Sequence, residues 1–332
     1  MGSTANRLVI WQQNVNKSPI CQHTLLSNDI LVKHNISIVT LQEPAINAFN
    51  NSIASRDWIS VYPTTHSTHP GNTCTLTLIH SNISMDSWEQ IDFPLGDVTV
   101  TSLKGDWGKM YIFNIYNKGN SNRTIQALEQ FYRTHPEIAD QLDRGSVHTI
   151  WLGDFNRHHP HWDDPSDARL FMEVALAAAE TLIDLVASLG LELGLPSGIP
   201  THLHNITKKW SRLDQVFITE HSLELIEACD TETKFHSIKT DHFPIVTKLN
   251  LEATLMQPAT IHNFKDVDWE KFHETLSLRL ANLVTPAKPS NQERLNSCCE
   301  QLTLTLQLVI EDEVPKTELC TKLKRWWTKE LT

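Results

Sequence analysis

Apolar runs of six to nine residues recur along the first 250 positions of the chain and then stop. Residues 7–15 (RLVIWQQNV), 36–42 (ISIVTLQ), 75–80 (TLTLIH), 97–103 (DVTVTSL) and 110–116 (MYIFNIY) predict short β-strands. So do 147–153, 213–219 (LDQVFIT) and 243–249 (FPIVTKL), because β-branched and aromatic positions dominate between turn-forming residues. Helical patterns interleave at 22–34, at about 122–143, and in the Ala/Leu-rich 166–189, which Gly190 closes. Pro196, Gly198 and Pro200 mark a loop before the next strand. Many strands with inserted helices, and no regular βαβ alternation, predict an α+β layered sandwich rather than a doubly wound parallel sheet. Past residue 250 the strand pattern gives way to helices over 266–282, 291–312 and 315–330, punctuated by Pro286, Pro289 and Pro315. The organisation expected is therefore one domain over 7–250 and a helical tail over 251–332.

Composition changes this picture little. At 332 residues, 40% hydrophobic and 20% charged, the chain has the balance of an ordinary globular protein with material for a core. No run approaches 18 apolar residues, so no membrane partner is expected. The first residues carry no basic-plus-apolar leader pattern, which points to an intracellular protein. The six cysteines lie at irregular spacing with no CxxC, which favours reduced thiols over a disulfide framework or structural zinc.

Charge is more informative. A net charge of −11 argues against a general nucleic-acid binder, whose affinity comes from a basic surface. Carboxylates gathered around a divalent cation would contribute to that excess. Lys208, Lys209 and Arg212 lie together, and Lys104, Lys109, Lys118 and Arg123 flank another edge. Solvated surface is the favoured reading of both groups over phosphate tracking.

The chemistry-bearing residues stand at strand ends. Gln13-Asn14 follows LVIW, Gln42-Glu43 follows ISIVTL, and Asn114-Ile115-Tyr116 closes MYIFNIY. Gly153-Asp154-Phe155-Asn156 follows VHTIW, Asp214 lies within SRLDQVFIT, and Thr240-Asp241-His242 precedes FPIVTKL. Asp154 and Asn156, two apart on an extended chain, should point the same way and present a carboxylate and a carboxamide together. Any one of these features alone would be a turn or a structural histidine. A sheet that gathers several polar strand ends on one edge builds a rigid site.

In this order the residues resemble the endonuclease/exonuclease/phosphatase superfamily. Its signature runs QN, QE, a strand-end Tyr, GDFN, a strand-borne Asp and (S/T)DH, here Asn14, Glu43, Tyr116, Asp154 with Asn156, Asp214, and Asp241 with His242. The resemblance covers roughly 7–250 and implies a four-layer α/β/β/α, DNase I-like sandwich with a helical C-terminal extension. GDFN followed by HHPHW, then Thr201 in GIPTHLH and SRLDQVFI, resembles the apurinic-like endonucleases of non-LTR retrotransposons. The tail NFKDVDWEKF to WWTKEL resembles the connector to their reverse transcriptase, which implies such a domain, absent from this chain, as a partner.

That resemblance implies a divalent-metal-dependent phosphodiester hydrolase, a DNA-nicking endonuclease with DNA as substrate and a nuclear location. Mg²⁺, or Mn²⁺, would be held by Glu43 with Asn14 and Asp241. Asp154 would orient or deprotonate the attacking water, Asn156 hold a phosphate oxygen, and Tyr116 donate to the phosphate or leaving group. His242, paired with Asp214, would stabilise the charged pentacoordinate phosphate, while Thr201 and Arg212 contact substrate phosphate. Two alternatives stand beside it: a phosphatase or phosphodiesterase of the same fold on inositol phosphates or phospholipids, and a non-catalytic binding module. Tyr116 is followed by Asn117-Lys118 where the family often has Tyr-x-Pro, so the loop after this strand is expected to differ. His158, His159 and His161 are read as the flank of the site rather than a zinc cluster, and Trp162 as loop core. Trp107 and Trp210 are candidates to stack on bases, although isolated tryptophans more often belong to a core.

Overall fold

A computed structural model of the chain describes residues 7–53, 55–139, 146–235, 239–255, 260–283 and 291–318. It divides into two compact units, 1–256 and 257–332.

The first unit is built on two six-stranded sheets. One runs β13 (Ile226–Thr231), β14 (Ile245–Glu252), β1 (Arg7–Asn14), β2 (Ile38–Gln42), β4 (Thr75–His80) and β3 (Trp58–Val61). The other runs β5 (Trp88–Ile91), β6 (Val98–Gly105), β7 (Gly108–Tyr116), β8 (Val147–Asp154), β12 (Asp214–Thr219) and β9 (Leu191–Leu193). Side-chain alternation assigns each strand two apolar faces. Leu8, Ile10 and Ile38 of the first sheet share one buried cluster with Ile112, Ile150 and Val216 of the second, which is the core between the sheets. The alternate residues Val9, Trp11 and Val39 face outward, under α1 (Pro19–Ser27) and α2 (Ile30–Lys33). On the second sheet Phe113 and Trp151 face outward, under Leu128 and Phe131 of α3 (Arg123–Thr134) and Leu182 of α5 (Glu173–Ser188). The result is the expected four-layer α/β/β/α sandwich.

All eight expected strands are present, with ends shifted by up to three residues. The helices depart more. The 22–34 pattern begins earlier and splits: Ser18 caps α1 by accepting from the Cys21 amide, Pro19 starts it, and the chain breaks at Asn28 before α2. The 122–143 pattern stops at His135 because Pro136 cannot continue the preceding turn, and the short α4 (Pro136–Ala139) follows. The start of 166–189 is a 3₁₀ turn over Pro165–Leu170, and α5 ends before Gly190, which takes a φ of 60°.

The second unit contains α6 (Trp269–Ala281) and α7 (Gln292–Glu313) around Val267, Phe272, Val309 and Val314. Its strands β15 (Thr260–His262) and β16 (Lys316–Glu318) pair antiparallel. The helix expected over 315–330 is replaced at its start by strand β16, whose residues 316–318 pair with β15 instead of turning into a helix; residues 319–330 lie outside those described. No described helix is long and apolar enough to cross a membrane.

Candidate active site

Register places the polar strand ends side by side. In the second sheet Tyr116 of β7 is the partner of Asp154 on parallel β8, and Asp154 is the partner of Asp214 on antiparallel β12. In the first sheet Asn14 of β1 lies beside Gln42 of β2, whose next residue is Glu43. Gly153 is required where β7 and β8 run together: a Cβ there would collide with the Ile115 carbonyl oxygen.

Two residues leave their strands through left-handed backbone. Glu43 has φ 47° and Asn156 has φ 51°. A non-glycine residue holds this conformation only when its surroundings over-determine it. The Glu43 amide donates to the Cys74 carbonyl at 2.8 Å, and its carbonyl accepts from the Lys17 amide at 2.8 Å. Strand β8 ends at Asp154, so the extended two-residue presentation of Asp154 and Asn156 does not hold. An Asx turn replaces it, with the Asn156 amide donating to Asp154 Oδ1 at 3.0 Å and Asn156 Nδ2 donating to the Asn117 carbonyl at 2.9 Å. Asn156 nonetheless lines a cavity of about 330 Å³ with Glu43, Tyr116, Lys17 and Lys118.

The two sheets meet at the carboxylates. Asn14 Nδ2 donates to Asp154 Oδ2 at 2.9 Å and reaches Glu43 Oε2 at 3.4 Å. Its Oδ1 accepts from the Asn16 amide at 2.8 Å. Asn14 therefore positions two carboxylates with its nitrogen, where a metal ligand would have to offer its oxygen. Beyond Asp154 comes His242, whose Nε2 is 4.0 Å from Asp154 Oδ2 and whose Nδ1 is 2.8 Å from Asp214 Oδ2. Asp241 lies on the far flank: Oδ1 is 3.9 Å from His242 Nε2, and Oδ2 is 3.3 Å from both His202 Nε2 and Asn205 Nδ2. No hydrogen bond or ion pair among the described residues joins Asp241 to Glu43.

Burial sets the protonation of this row. Desolvation pushes the Asp154 carboxyl up, and the Asp214 charge adds to it, against His242 and the Asn14 amide. Burial alone would lower the His242 pKa, but Asp214, then Asp154 and Asp241, hold it up at about 9. The hydrogen bond from His202, opposed by burial and helped by His242, holds Asp241 down to about 2. Burial and the nearby Glu43 and Asp154 carboxylates raise Tyr116, which stays a phenol and can donate. The site thus sets a cationic imidazole against a carboxylate whose charge is partly suppressed.

Two expected substrate contacts are corrected. Arg212 is only 1% exposed. Its guanidinium donates to Gln215 Oε1 at 2.9 Å, to the Leu195 carbonyl at 2.9 Å, and to the carbonyls of Trp162 and Pro196. It ties the 195–200 loop to β12, and with four of its five N–H donors used and the side chain buried it is out of reach of a phosphate. Thr201 is fully buried, donates to Asp214 Oδ2 at 2.8 Å and accepts from the Leu213 and Asp214 amides. It acts on the site through Asp214.

The flanking aromatics separate. Trp162 is buried, donates to the Arg157 carbonyl at 3.1 Å and packs edge-on against Phe217. His158 Nδ1 lies 3.4 Å from Asp163 Oδ1, and the His159 backbone amide donates to Asp163 Oδ2 at 2.8 Å. The Trp107 indole donates to the Glu252 carbonyl at 2.8 Å and is held there. Trp210 is 40% exposed, tilted over Phe243 at 4.8 Å, on the short β11 (Trp210–Ser211) that pairs with β10 (His202–Leu203). Of Trp107 and Trp210, the latter is the exposed one, and its indole makes no hydrogen bond to backbone among the described residues.

Several residues named at the strand ends have supporting roles that the sequence did not assign. Gln42 Nε2 donates to Asn114 Oδ1 at 2.7 Å, and Asn114 Nδ2 donates to the Leu41 and Leu76 carbonyls, so one buried pair locks the sheets together beneath the site. Gln13 Nε2 holds the His242 carbonyl at 3.3 Å, and Thr240 Oγ1 holds the Asn14 carbonyl at 2.8 Å. Gln13, Gln42, Asn114 and Thr240 sit within the quoted motifs, and polar residues in otherwise apolar strands were the available signal. His202 carried no such signal.

Residues 110–246 match a protein-family model described as "Endonuclease-reverse transcriptase". No curated protein matches the chain in sequence. Among solved structures, the chain is similar to the endonuclease domain of TRAS1, a telomere-specific non-LTR retrotransposon, at 18% identity and a TM-score of 0.55, over 74% of this chain and 99% of that one. It is similar to the AP endonuclease LMAP from Leishmania major at 14% identity and a TM-score of 0.53, over 73% of this chain and 88% of that one. A 3′-5′ exonuclease (NExo) from Neisseria meningitidis gives 16% identity and a TM-score of 0.52, over 73% of this chain and 99% of that one. At these identities the structures establish a common fold.

Proposed function

We propose, for a chain that belongs to the endonuclease/exonuclease/phosphatase superfamily and has its DNase I-like fold, a divalent-metal-dependent phosphodiester hydrolase that nicks DNA. The observation that carries this reading is the unbroken row Glu43–Asn14–Asp154–His242–Asp214, which sets hard oxygen donors, a suppressed carboxylate and a buried imidazolium along one edge. The similarity to a retrotransposon endonuclease domain supports DNA as the substrate.

The donor set fits a hard cation. Glu43 is a carboxylate at the cavity wall with no competing cation closer than Lys17 at 3.6 Å, and oxygen donors suit Mg²⁺ or Mn²⁺. Glu43 would hold the ion, with Asn14 keeping its carboxylate turned toward Asp154. When bound, such an ion supplies Lewis-acid polarisation of a phosphoryl oxygen. The remaining steps belong to the chain. Asp154 takes a proton from water at Oδ2, which its raised pKa favours. His242, fixed through Nδ1 by Asp214 with its Nε2 3.9 Å from Asp241 and 4.0 Å from Asp154, donates from Nε2 to the phosphate as negative charge builds on it. Tyr116 donates from its hydroxyl, and Asn156 lines the cavity that takes the phosphate. The second unit is read as the connector to a reverse transcriptase, with a nuclear site of action.

Incubation with supercoiled plasmid and Mg²⁺ tests this reading, with EDTA and Glu43→Ala as controls. Nicking that both controls abolish supports it. Equal background nicking in wild type and variant, or turnover confined to inositol phosphates, overturns it.

A further inference from the structure

One imidazole beside the site has no part in that reaction. His202 on β10 faces His242 across an isolated antiparallel bridge, with ring centroids 4.9 Å apart. Both rings converge on one carboxylate: His202 Nε2 is 3.3 Å from Asp241 Oδ2, and His242 Nε2 is 3.9 Å from Asp241 Oδ1. Each ring's other nitrogen is already engaged. His202 Nδ1 is 3.0 Å from Ser211 Oγ, and His242 Nδ1 is 2.8 Å from Asp214 Oδ2. A hydrogen bond on one imidazole nitrogen is what orients a histidine to ligate a metal with the other. Here two such bonds aim two Nε2 atoms at the same place.

The three side chains offer ligand atoms within 4.8 Å of one another. Ligands around a tetrahedral Zn²⁺, at bonds of about 2.0–2.1 Å, stand about 3.4 Å apart. Small side-chain rotations close that gap, and Asp241 is only partly buried, with room to turn. Two imidazoles and one carboxylate make a borderline donor set that suits Zn²⁺ or Co²⁺, whereas Mg²⁺ keeps to oxygen. Three carboxylates, Asp154, Asp214 and Asp241, surround His242 and favour a dication there as they favour a proton.

We propose that His202, Asp241 and His242 form a second cation site, selective for Zn²⁺-class ions over Mg²⁺, whose occupation withdraws His242 and inhibits the enzyme. The ion takes the Nε2 lone pair of His242 and sends its proton to solvent, so that donation to the phosphate stops. The inhibitory half rests on the hydrolase reading above; the site itself does not.

The test titrates the full chain with Co²⁺, read by visible absorption, and with Zn²⁺ against a chromophoric chelator, both in millimolar Mg²⁺. Wild type is expected to show the intense bands of tetrahedral Co²⁺, and His202→Gln to bind Zn²⁺ at least about tenfold more weakly. Asp241→Asn gives the same comparison should His202→Gln fold poorly, and Glu43→Gln should bind Zn²⁺ as wild type does. Absence of Co²⁺ bands, or equal affinity in wild type and both site variants, overturns the site. Plasmid nicking in Mg²⁺ should fall on adding Zn²⁺ and require about tenfold more Zn²⁺ in His202→Gln. Nicking that persists with the site filled overturns the inhibition alone. A chain that binds Zn²⁺ through His202 and never nicks keeps the site and removes the hydrolase reading.

Discussion

His242 Nδ1 and Asp214 Oδ2 stand 2.8 Å apart in the buried heart of the site, and the same oxygen accepts from Thr201 Oγ1 at 2.8 Å. Asp214 is thus held from one side and holds the imidazole from the other. Its charge is the leading reason that His242 keeps its proton against the effect of burial.

Asp214→Asn should therefore change the pH profile more than the fold. A raised histidine pKa keeps the cationic form, and the activity needing it, up to about 9, above which activity falls with rising pH. Without the carboxylate, that alkaline limb should move down toward the ordinary histidine range of about 6.5 or below. Rate against pH for both proteins checks it. An unmoved limb would mean that His242 is not the group titrating.

Asp154→Ala and His242→Ala should each lower the nicking rate by at least about two orders of magnitude. Both residues sit at or beyond strand ends, so thermal melts should stay near wild type. A collapse of the melting transition would mark them as structural.

Thr201→Val removes the hydrogen bond to Asp214 Oδ2, together with the acceptor of the Leu213 and Asp214 amides, and leaves the volume nearly unchanged. A hydrogen bond to a charged group contributes about 1.5–3 kcal/mol, so a loss of about tenfold or more in kcat is expected, restored by Thr201→Ser. KM should change little, since Thr201 is fully buried. Steady-state kinetics separate this from direct substrate contact, which would raise KM.

Arg212→Ala should act on stability. It leaves the Leu195, Pro196 and Trp162 carbonyls and Gln215 without their donor in a buried place, at a cost of about 3–5 kcal/mol. Denaturant unfolding reads the loss. The salt dependence of DNA binding by the folded fraction should match wild type, because no phosphate contact is removed.

Gly153→Ala should cost about 1–3 kcal/mol, because the new Cβ meets the Ile115 carbonyl and pushes β8 from β7. Melting temperature and rate should fall together, since Asp154 is the next residue.

Much of this was legible in one dimension. Strand alternation such as Leu8/Val9/Ile10/Trp11 states which residues face which layer, because the period of a strand is local backbone geometry. The motifs QN, QE, GDFN and TDH named the strand ends that carry Asn14, Glu43, Asp154, Asp241 and His242. Helix ends were less legible, as at Asn28 and Pro136, because capping and breaks outweigh periodicity there. Strands Trp58–Val61 and Trp88–Ile91 carried little signal, since edge strands are partly exposed and do not read as apolar runs.

The sequence by itself determined the strands, the apolar faces and the set of chemically able side chains, because these follow from local geometry and residue type. Only the tertiary structure decided what each does. It turned Asn14 from a metal ligand into a bridge between carboxylates and Arg212 from a phosphate contact into a buried loop tie. It also gave Thr201 a role through Asp214 and brought His202 to His242 across 40 residues of chain. Hydrogen-bond partners and burial are properties of what packs around a residue, and that comes from strands distant in sequence.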